Sequence, residues 1–417
     1  GMVSIEVGMF ALSAVVMIYV ASGGLRSVAY VDCAQCVLLA LGIVILGFIA
    51  ITHIGGWSAF TDGLAAMVTQ NLADGTKLTP DGHSSLVALP GSIQMVSANT
   101  EAVGSSWTGI MCMTYMFALM GIQSSPAFSM WAFANKTSEP FRLQQVYASS
   151  VVIGIILFTF TIVQGLGGNI LESMGILEAV NDKNLVPQLI NLLSDSTPWL
   201  VGLLAVCALA AMQSTGAAYM STFSGMVTRD IYKSYISPDA SDAVQKLCGR
   251  IFVVVVALAA LFVAAQFTGA IVMLGGLAVA YGFQMWPALM GICFFSQFTR
   301  KGVVWGLVAG LVAVTLTDRP IGVVPDILNA FIPDFLGIEF GAMPWGRYPL
   351  TIHSAGWGIL FNLAVTLAVS FFGSQTDDER EHRQKSHRFL QAVSGISPER
   401  QKHIPIAWAL VIFWFLV

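Results

Sequence analysis

The residues with the clearest capacity for chemistry are two adjacent hydroxyl side chains, Ser214 and Thr215, in an otherwise apolar segment. On an α-helix they lie about 100° apart, so both can face one cavity. The carbonyl of Ala211 lies one turn earlier on the same side. Small hard cations prefer hydroxyl and carbonyl oxygens, so the pattern indicates half of a cation site that another helix must complete. The alternative is that each hydroxyl bonds the backbone of its own helix.

The composition identifies the surroundings of these hydroxyls as a membrane. Hydrophobic residues make up 56% of the 417 residues and charged residues only 10%, whereas soluble proteins average about 25% charged residues. The net charge of −4 predicts no nucleic-acid partner. No phosphate-binding loop, metal triad or nucleophile–base pair stands out, so we expect a protein that is not an enzyme and has no catalytic residues.

Stretches without charge predict an all-α polytopic membrane protein, because a membrane-spanning helix needs about 20 mostly apolar residues. We expect a single transmembrane domain over residues 1–417. The ten predicted spans are 2–20, 33–55, 107–128, 147–168, 197–224, 250–267, 270–296, 302–317, 351–373 and 406–417.

The distribution of Lys and Arg predicts how the spans are oriented. One set of connections carries 15 of the 19 basic residues, and basic loops face the cytoplasm. That set comprises Arg26, the loops 129–146, 225–250 and 297–302, and the linker 374–405. The expected external loops are 56–106, 169–196 and 318–350. We therefore expect a multi-pass protein of the cell (inner) membrane.

Three motifs in chain order resemble the sodium:solute symporter family. The first is the Gly-Gly element at Gly23–Gln35, which keeps the family's Asp32 and Gln35. The second is Ala-Ala-Met-Gln-Ser-Thr at Ala210–Thr215, followed by Asp-Ile-Tyr-Lys at Asp230–Lys233. The third is Pro287 with the basic segment and glycine-rich helix of Thr299–Gly310. Each motif is moderately specific alone, and the three together are specific.

The resemblance implies an inverted-repeat transporter fold with a core of ten helices. The first predicted span matches the fourth core helix and the seventh span matches the tenth, so core helices one to three would be missing and the fold truncated. The resemblance also implies that Ala211, Ser214 and Thr215 hold Na⁺ as the coupling ion, and that Asp32 lines its exit route. An alternative role for Asp32 is to cap the start of the second span.

Substrate contacts are predicted in the third and seventh spans. The segment from Gly121 to Trp131 resembles the end of the family's sixth core helix, and Gly121 and Pro126 can break that helix and free carbonyls. Tyr115, Gln123 and Gln284 are the candidate substrate contacts. The simpler interpretation of the proline is a kink at a helix interface.

These features predict a sodium-coupled symporter that moves a small organic solute, such as a monocarboxylate or amino acid, by alternating access. Its partners would be that solute, sodium and the lipid bilayer. One alternative is the membrane sensory module of a symporter–histidine kinase fusion, with a soluble signalling domain beyond the C-terminus. Another is a non-functional fragment of a symporter.

Overall fold

The computed structural model describes residues 5–67, 109–137, 141, 143–178, 180, 184–266, 271–318, 348–393 and 404–416. Apart from turns, the regular structure in these ranges is helical. The helices are α1 (Ile5–Ile54), α2 (Trp57–Met67), α3 (Gly109–Ser124), α4 (Pro126–Ala134), α5 (Gln144–Leu157, π-helical), α6 (Phe158–Ser173), α7 (Leu185–Asn191), α8 (Pro198–Met226), α9 (Val227–Ile236, π-helical), α10 (Asp242–Gln266), α11 (Ile271–Phe283), α12 (Trp286–Cys293), α13 (Arg300–Thr317), a 3₁₀ turn (Pro349–Thr351), α14 (Ser354–Phe372), α15 (Asp377–Val393) and α16 (Ile404–Leu416).

Seven helical stretches in the described ranges are long and apolar enough to cross a membrane. They confirm an all-helical, multi-pass architecture, but they do not confirm ten spans. The third predicted span, 107–128, is divided into α3 and α4, and its first two residues lie outside the described residues. The last predicted span, 406–417, is described up to residue 416 and lies to that point in α16, which has 13 residues.

The first two predicted spans are two halves of α1, joined at Gly24, whose φ of 60° and ψ of −161° are not helical. The Tyr19 hydroxyl lies 3.5 Å from the Gln213 carbonyl, and a Cβ on Gly42 would lie 2.6 Å from the Cys207 Cβ. Gln213 and Cys207 are only about 9 Å apart along α8, whereas a straight α1 would separate Tyr19 from Gly42 by about 34 Å. The two halves of α1 therefore fold back beside α8.

Gly24 is required at this fold-back because its backbone conformation is accessible almost only to glycine. We expect Gly24→Ala to lower the free energy of unfolding by about 2 kcal/mol, measured as a lower melting temperature in detergent. Gly8→Ala is the matched control, since Gly8 lies within α1 with open space where its Cβ would be. A Gly24→Ala protein as stable as Gly8→Ala would contradict the fold-back.

The described residues form two compact units. The first consists of those within 1–88, 135–265 and 409–417. Its apolar core joins the second half of α1 to α2, α6, α7 and the start of α8. The buried residues of this core include Leu46, Ala50, Phe60, Val163, Ile170, Leu171, Leu189 and Leu204.

The second unit consists of the described residues within 89–134 and 266–408. Its apolar core is small: Ala118 on α3, Ala280 and Phe283 on α11, Val314 on α13 and Ala355 on α14. Two close backbone approaches supplement this core. One joins α3 to α11, where a Cβ on Gly282 would lie 2.8 Å from the Gly121 carbonyl oxygen.

The other close approach joins α13 to α14. Three glycines spaced by four residues on α13 face polar side chains spaced by four on α14. The glycines are Gly302, Gly306 and Gly310, and the polar residues are Asn362, Thr366 and Ser370. Small residues in membrane helices allow such close backbone packing and cross-helix hydrogen bonds.

The predicted loops are described only in part. Residues 57–67 of the loop 56–106 form α2, and the linker 374–405 contains α15, whose His387 Nε2 lies 2.9 Å from the Gly291 carbonyl oxygen. Most of the predicted loops 56–106 and 318–350 lies outside the described residues. The single transmembrane domain and the sidedness of the loops stay predictions.

Candidate functional site

The predicted cation ligands Ala211, Ser214 and Thr215 all lie on α8, within the first unit. The Ser214 hydroxyl donates to the Ala211 carbonyl at 3.3 Å, and both residues are half-buried. The two predicted ligand oxygens are therefore adjacent in space, as the one-turn spacing requires. This same hydrogen bond is the backbone bond that the sequence left open as the alternative.

Thr215 is exposed, so nothing in the described part of the first unit covers its side chain. Its neighbour Met212 is also exposed, by 62%. Among the described residues, no second helix covers the Thr215 side chain, as a closed cation site would need. The prediction that Thr215 and Ser214 share one cavity stays a prediction.

Asp32 is connected to this segment through Tyr19. The Tyr19 hydroxyl lies 3.5 Å from the carbonyl of Gln213, the residue directly before Ser214. The Asp32 carboxylate interacts electrostatically with the same tyrosine. The fold-back at Gly24 creates this arrangement, because it places both halves of α1 against α8. Asp32 is therefore linked through Tyr19 to the segment of α8 that carries the predicted sodium ligands, although the two are about 180 residues apart along the chain.

Asp32 lies inside a helix and not at its end. We expected it at the start of the second span, but the helix resumes directly after Gly24, about two turns earlier. The alternative role, capping a helix N-terminus, therefore does not explain why a carboxylate lies at this position. Its Oδ1 is buried and without a hydrogen-bond partner, as is Oε1 of Gln35 one turn later. Two buried oxygens without donors are suited to a cation.

Nearby hydroxyls on α8 have different roles. Thr222 donates to the carbonyl of Ala218 at 2.8 Å, which is the ordinary bond within a helix. Ser224 donates to the carbonyl of Gly249 on α10 at 2.7 Å, which ties the two helices together. Ser214 differs from both in its position, because it directly follows Gln213, whose carbonyl lies 3.5 Å from the Tyr19 hydroxyl.

The predicted substrate residues Tyr115, Gln123 and Gln284 all lie in the second unit. The half-buried Tyr115 ring packs edge-on against the fully buried His353 at a centroid distance of 5.0 Å. Gln123, in the last turn of α3, is exposed. Only Gln284 is enclosed by protein, with 1% of its surface exposed.

The side-chain amide and the main-chain carbonyl of Gln284 are both hydrogen-bonded within the protein. Its Nε2 donates to the Ala280 carbonyl at 3.1 Å, and its main-chain and side-chain oxygens accept from Asn362 Nδ2 at 2.8 and 3.3 Å. The structure thus assigns this side chain a packing role. A substrate contact by Gln284 stays a prediction.

The third predicted span does break at the predicted place, between Ser124 and Pro126. The break does not leave the Ile122 carbonyl free, because the Ser125 hydroxyl donates to it at 3.1 Å. The Ser124 hydroxyl donates across to the Gly282 carbonyl on α11 at 2.9 Å. At the Ile122 carbonyl, a serine side chain thus occupies the position that we expected a substrate to use.

The sequence interpretation missed the polar residues of α14. His353 caps this helix, accepting the Ala355 N–H at Nδ1, and its own N–H donates to Thr114 Oγ1 at 2.9 Å. Asn362 contacts Gln284 as described above. A signal was visible in the sequence as polar residues at four-residue spacing within a long apolar segment: Asn362, Thr366 and Ser370, with Ser354 eight residues before Asn362.

Comparison with known proteins gives one family and several relatives. The family profile described as the sodium:solute symporter family matches residues 2–310. A sodium/proline symporter of Salmonella typhimurium is 23% identical over 75% of this chain and 56% of its own length. A sodium/glucose cotransporter of Vibrio parahaemolyticus is 24% identical over 71% of this chain and 54% of its own length.

Two further matches differ in coverage. A sodium/proline symporter of Haemophilus influenzae is 33% identical over 28% of this chain and 23% of its own length. A solved structure, described as the substrate-bound outward-open state of a Na⁺-coupled sialic acid symporter, superposes with a TM-score of 0.61. It is 15% identical, and the match covers 89% of this chain and 68% of that one. The chain spans little more than half the length of the curated relatives that it matches over most of its own sequence.

Proposed function

Because the chain belongs to the sodium:solute symporter family, we propose that it takes part in the sodium-coupled transport of a small organic solute, such as a monocarboxylate or amino acid. The observation that carries this proposal is the Ser214–Ala211 oxygen pair next to Gln213, whose carbonyl lies 3.5 Å from the Tyr19 hydroxyl, with which the Asp32 carboxylate interacts electrostatically. It is an arrangement of neutral oxygens with one carboxylate nearby, which suits a monovalent hard cation.

The sodium ion is held, in this proposal, by the Ala211 carbonyl and the Ser214 and Thr215 hydroxyls. Binding requires the Ser214 hydroxyl to turn its hydrogen away from the Ala211 carbonyl, so that both oxygens present lone pairs to the ion. Binding therefore exchanges this hydrogen bond for ion–oxygen contacts, and the balance is favourable only in a conformation in which another helix completes the ion's shell. Such a difference allows an ion to favour one conformation of a transporter over another.

Asp32 is proposed to receive the ion as it leaves toward the cytoplasm. Its unpartnered Oδ1 and the Oε1 of Gln35 supply oxygens one helix away from the Ser214 segment. A charged group within a membrane helix is expensive and points to such a function. Movement of one positive charge down a potential of 100 mV contributes about 2.3 kcal/mol to uptake.

Of the two proposed substrate classes, the relatives support an amino acid, since two of those compared above are named sodium/proline symporters. The sparse polar residues of α3 and α11 favour small solutes over sugars. Transport is proposed to follow alternating access, in which the occupied site opens first to one side of the membrane and then to the other.

The protein is proposed to lie in the cell (inner) membrane with the loops 129–146, 225–250 and 374–405 in the cytoplasm. One hydrogen bond supports the proposal that two of the basic segments, 297–302 and 374–405, lie on the same side of the membrane. The Thr299 N–H, at the start of α13, donates to Ser370 Oγ, near the end of α14, at 3.0 Å. The basic segment 297–302 and the linker 374–405 therefore leave this helix pair at the same end.

The test is uptake by the full-length protein in liposomes. A panel of radiolabelled proline, pyruvate, glucose and sialic acid is offered under an inward sodium gradient or an equal potassium gradient. We expect sodium-dependent accumulation of proline or pyruvate. Equal uptake of every solute in sodium, in potassium and in empty liposomes would reject the proposed function.

Replacing Asp32 by asparagine is expected to slow maximal uptake about fivefold, which corresponds to roughly 1 kcal/mol in a barrier. The reason is that the amide keeps the size of the side chain but no longer attracts the departing ion. Initial rates at saturating sodium measure the effect. Asp242→Asn, at an exposed acidic residue in the first turn of α10, is the control and should stay within about twofold. Equal rates for the two variants would exclude Asp32 from the ion route.

A further inference from the structure

The break between α11 and α12 leaves a main-chain carbonyl without its ordinary partner. In a continuous helix the Gln284 carbonyl would accept from the N–H of Ala288. Here the Ala288 N–H donates instead to the Met285 carbonyl at 3.1 Å. Pro287, which has no N–H, prevents the regular pattern from resuming at once. Within a membrane such an unpaired carbonyl must find a partner inside the protein.

Asn362 of α14 is that partner. Its Nδ2 lies 2.8 Å from the Gln284 main-chain oxygen and 3.3 Å from Oε1 of the same residue. Asn362 is 1% exposed, so no solvent competes for this carbonyl. The side chain is held in turn by Thr366, whose hydroxyl donates to Asn362 Oδ1 at 3.2 Å.

The space around this contact is fitted to an asparagine. A Cβ on Gly310 would lie 2.9 Å from the Asn362 Cβ and would collide with Gln284 Oε1. A Cβ on Gly358 would collide with the Gln284 amide. Neighbouring helices therefore leave no room for a substitute donor, and glycines at both positions are required for the contact to form.

We propose that Asn362 is a positioning residue that holds α11 and α12 in their broken arrangement. If the two helices straightened, the Gln284 carbonyl would return to the Ala288 N–H and Asn362 would lose its main-chain acceptor. The contact thus exists in one arrangement and not in the other, which is the condition for a group to bias a conformational equilibrium. Asn362 itself touches neither ion nor solute in this proposal.

The role of Asn362 in transport rests on the proposed function, whereas its effect on the helix break does not. The two are therefore measured separately. The break is followed by the distance between spin labels placed on Gly275→Cys in α11 and Ile292→Cys in α12, in a background without native cysteines. Both positions are exposed, and in a straight helix they would lie about 26 Å apart.

The matched variants are Asn362→Leu and Ser370→Ala. Leucine keeps the branched shape of the asparagine side chain, with larger methyl groups in place of the amide, and donates no hydrogen bond. Ser370 lies on the same face of α14, is also buried and also pairs with a main-chain group, the Thr299 N–H at 3.0 Å. Its loss should weaken the α13–α14 packing without touching the break.

We expect Asn362→Leu to shift or broaden the distance distribution between the labels, with Ser370→Ala matching the unsubstituted protein. In uptake assays Asn362→Leu should change the sodium or solute concentration for half-maximal uptake about threefold or more, and Ser370→Ala should leave both within about twofold.

An unchanged distance distribution in Asn362→Leu would overturn the proposal, and so would an equal change in Ser370→Ala, which would indicate general loosening. If the unsubstituted protein shows no sodium-dependent uptake, the proposed function fails while the distances still decide the role of Asn362. If the distances change but the half-maximal concentrations do not, Asn362 holds the helix break without positioning it for transport, and that part of the proposal is rejected.

Discussion

Replacing Ser214 and Thr215 together by alanine is expected to raise the sodium concentration for half-maximal uptake about tenfold or more, equivalent to about 1.4 kcal/mol of binding free energy. Each substitution removes one neutral oxygen from the proposed ion shell. The Ala211 carbonyl remains, because it belongs to the backbone. Uptake by the full-length protein is measured over a range of sodium concentrations at fixed solute concentration.

The control for this pair is Thr222→Ala, which removes a hydroxyl from the same helix two turns later. That hydroxyl donates to the Ala218 carbonyl at 2.8 Å and has no proposed contact with the ion. Thr222→Ala should leave the half-maximal sodium concentration within about twofold. A double variant with an unchanged sodium requirement would remove Ser214 and Thr215 from the site. Reduced maximal rate alone, at unchanged sodium requirement, would lead to the same conclusion.

The proximity of the Ser214 hydroxyl to the Ala211 carbonyl was predictable, because helical spacing alone fixes it. Ser214 must lie near the Ala211 carbonyl in any α-helix, and the structure places its hydroxyl 3.3 Å away. The exposure of Thr215 was not predictable in the same way. Which side of a helix is covered depends on elements distant in the chain, and an apolar segment that faces lipid looks the same as one that faces protein.

The surroundings of Asp32 show where local pattern and tertiary structure differ. The polar and glycine residues between the first two spans predicted a loop there. In the structure a single residue, Gly24, makes the turn, and helical conformation resumes at once. The second helix therefore starts early enough to enclose Asp32. A conformation that glycine alone adopts can replace a loop of several residues, and sequence spacing does not reveal this.

The helix break at Pro126 was predicted, but its consequence was not. Proline removes one N–H, and the pattern cannot tell whether a substrate or a neighbouring side chain satisfies the carbonyl left over. Here the adjacent Ser125 does so. At the second break the partner of Gln284 is Asn362, 78 residues later. Pairings over such distances are set by the packing of helices, for which one sequence contains no direct signal.

The close approach of α3 and α11 at Gly121 leads to the second prediction. A Cβ at this position would collide with the main-chain oxygen of Val279 and would lie 2.6 Å from the main-chain nitrogen of Phe283. Both atoms belong to the backbone of a helix, so neither can rotate away as a side chain would. Any substitution must therefore separate the two helices.

We expect Gly121→Ala to lower the free energy of unfolding by about 3 kcal/mol, at the upper end of the usual cost of overpacking, and to abolish sodium-dependent uptake. Separation of the helices also breaks the Ser124–Gly282 hydrogen bond across the same contact. Thermal unfolding in detergent and uptake in liposomes measure the two effects.

Gly202→Ala and Gly216→Ala are the controls for this substitution, since both residues lie within α8 and have open space where a Cβ would be. Alanine in a helix interior is favoured over glycine by about 1 kcal/mol, so these variants should be at least as stable as the unsubstituted protein. The opposite signs separate a contact at Gly121 from a general intolerance of glycine replacement in membrane helices. If Gly121→Ala has the same melting temperature as the two controls, the backbones of α3 and α11 do not approach each other closely at this position.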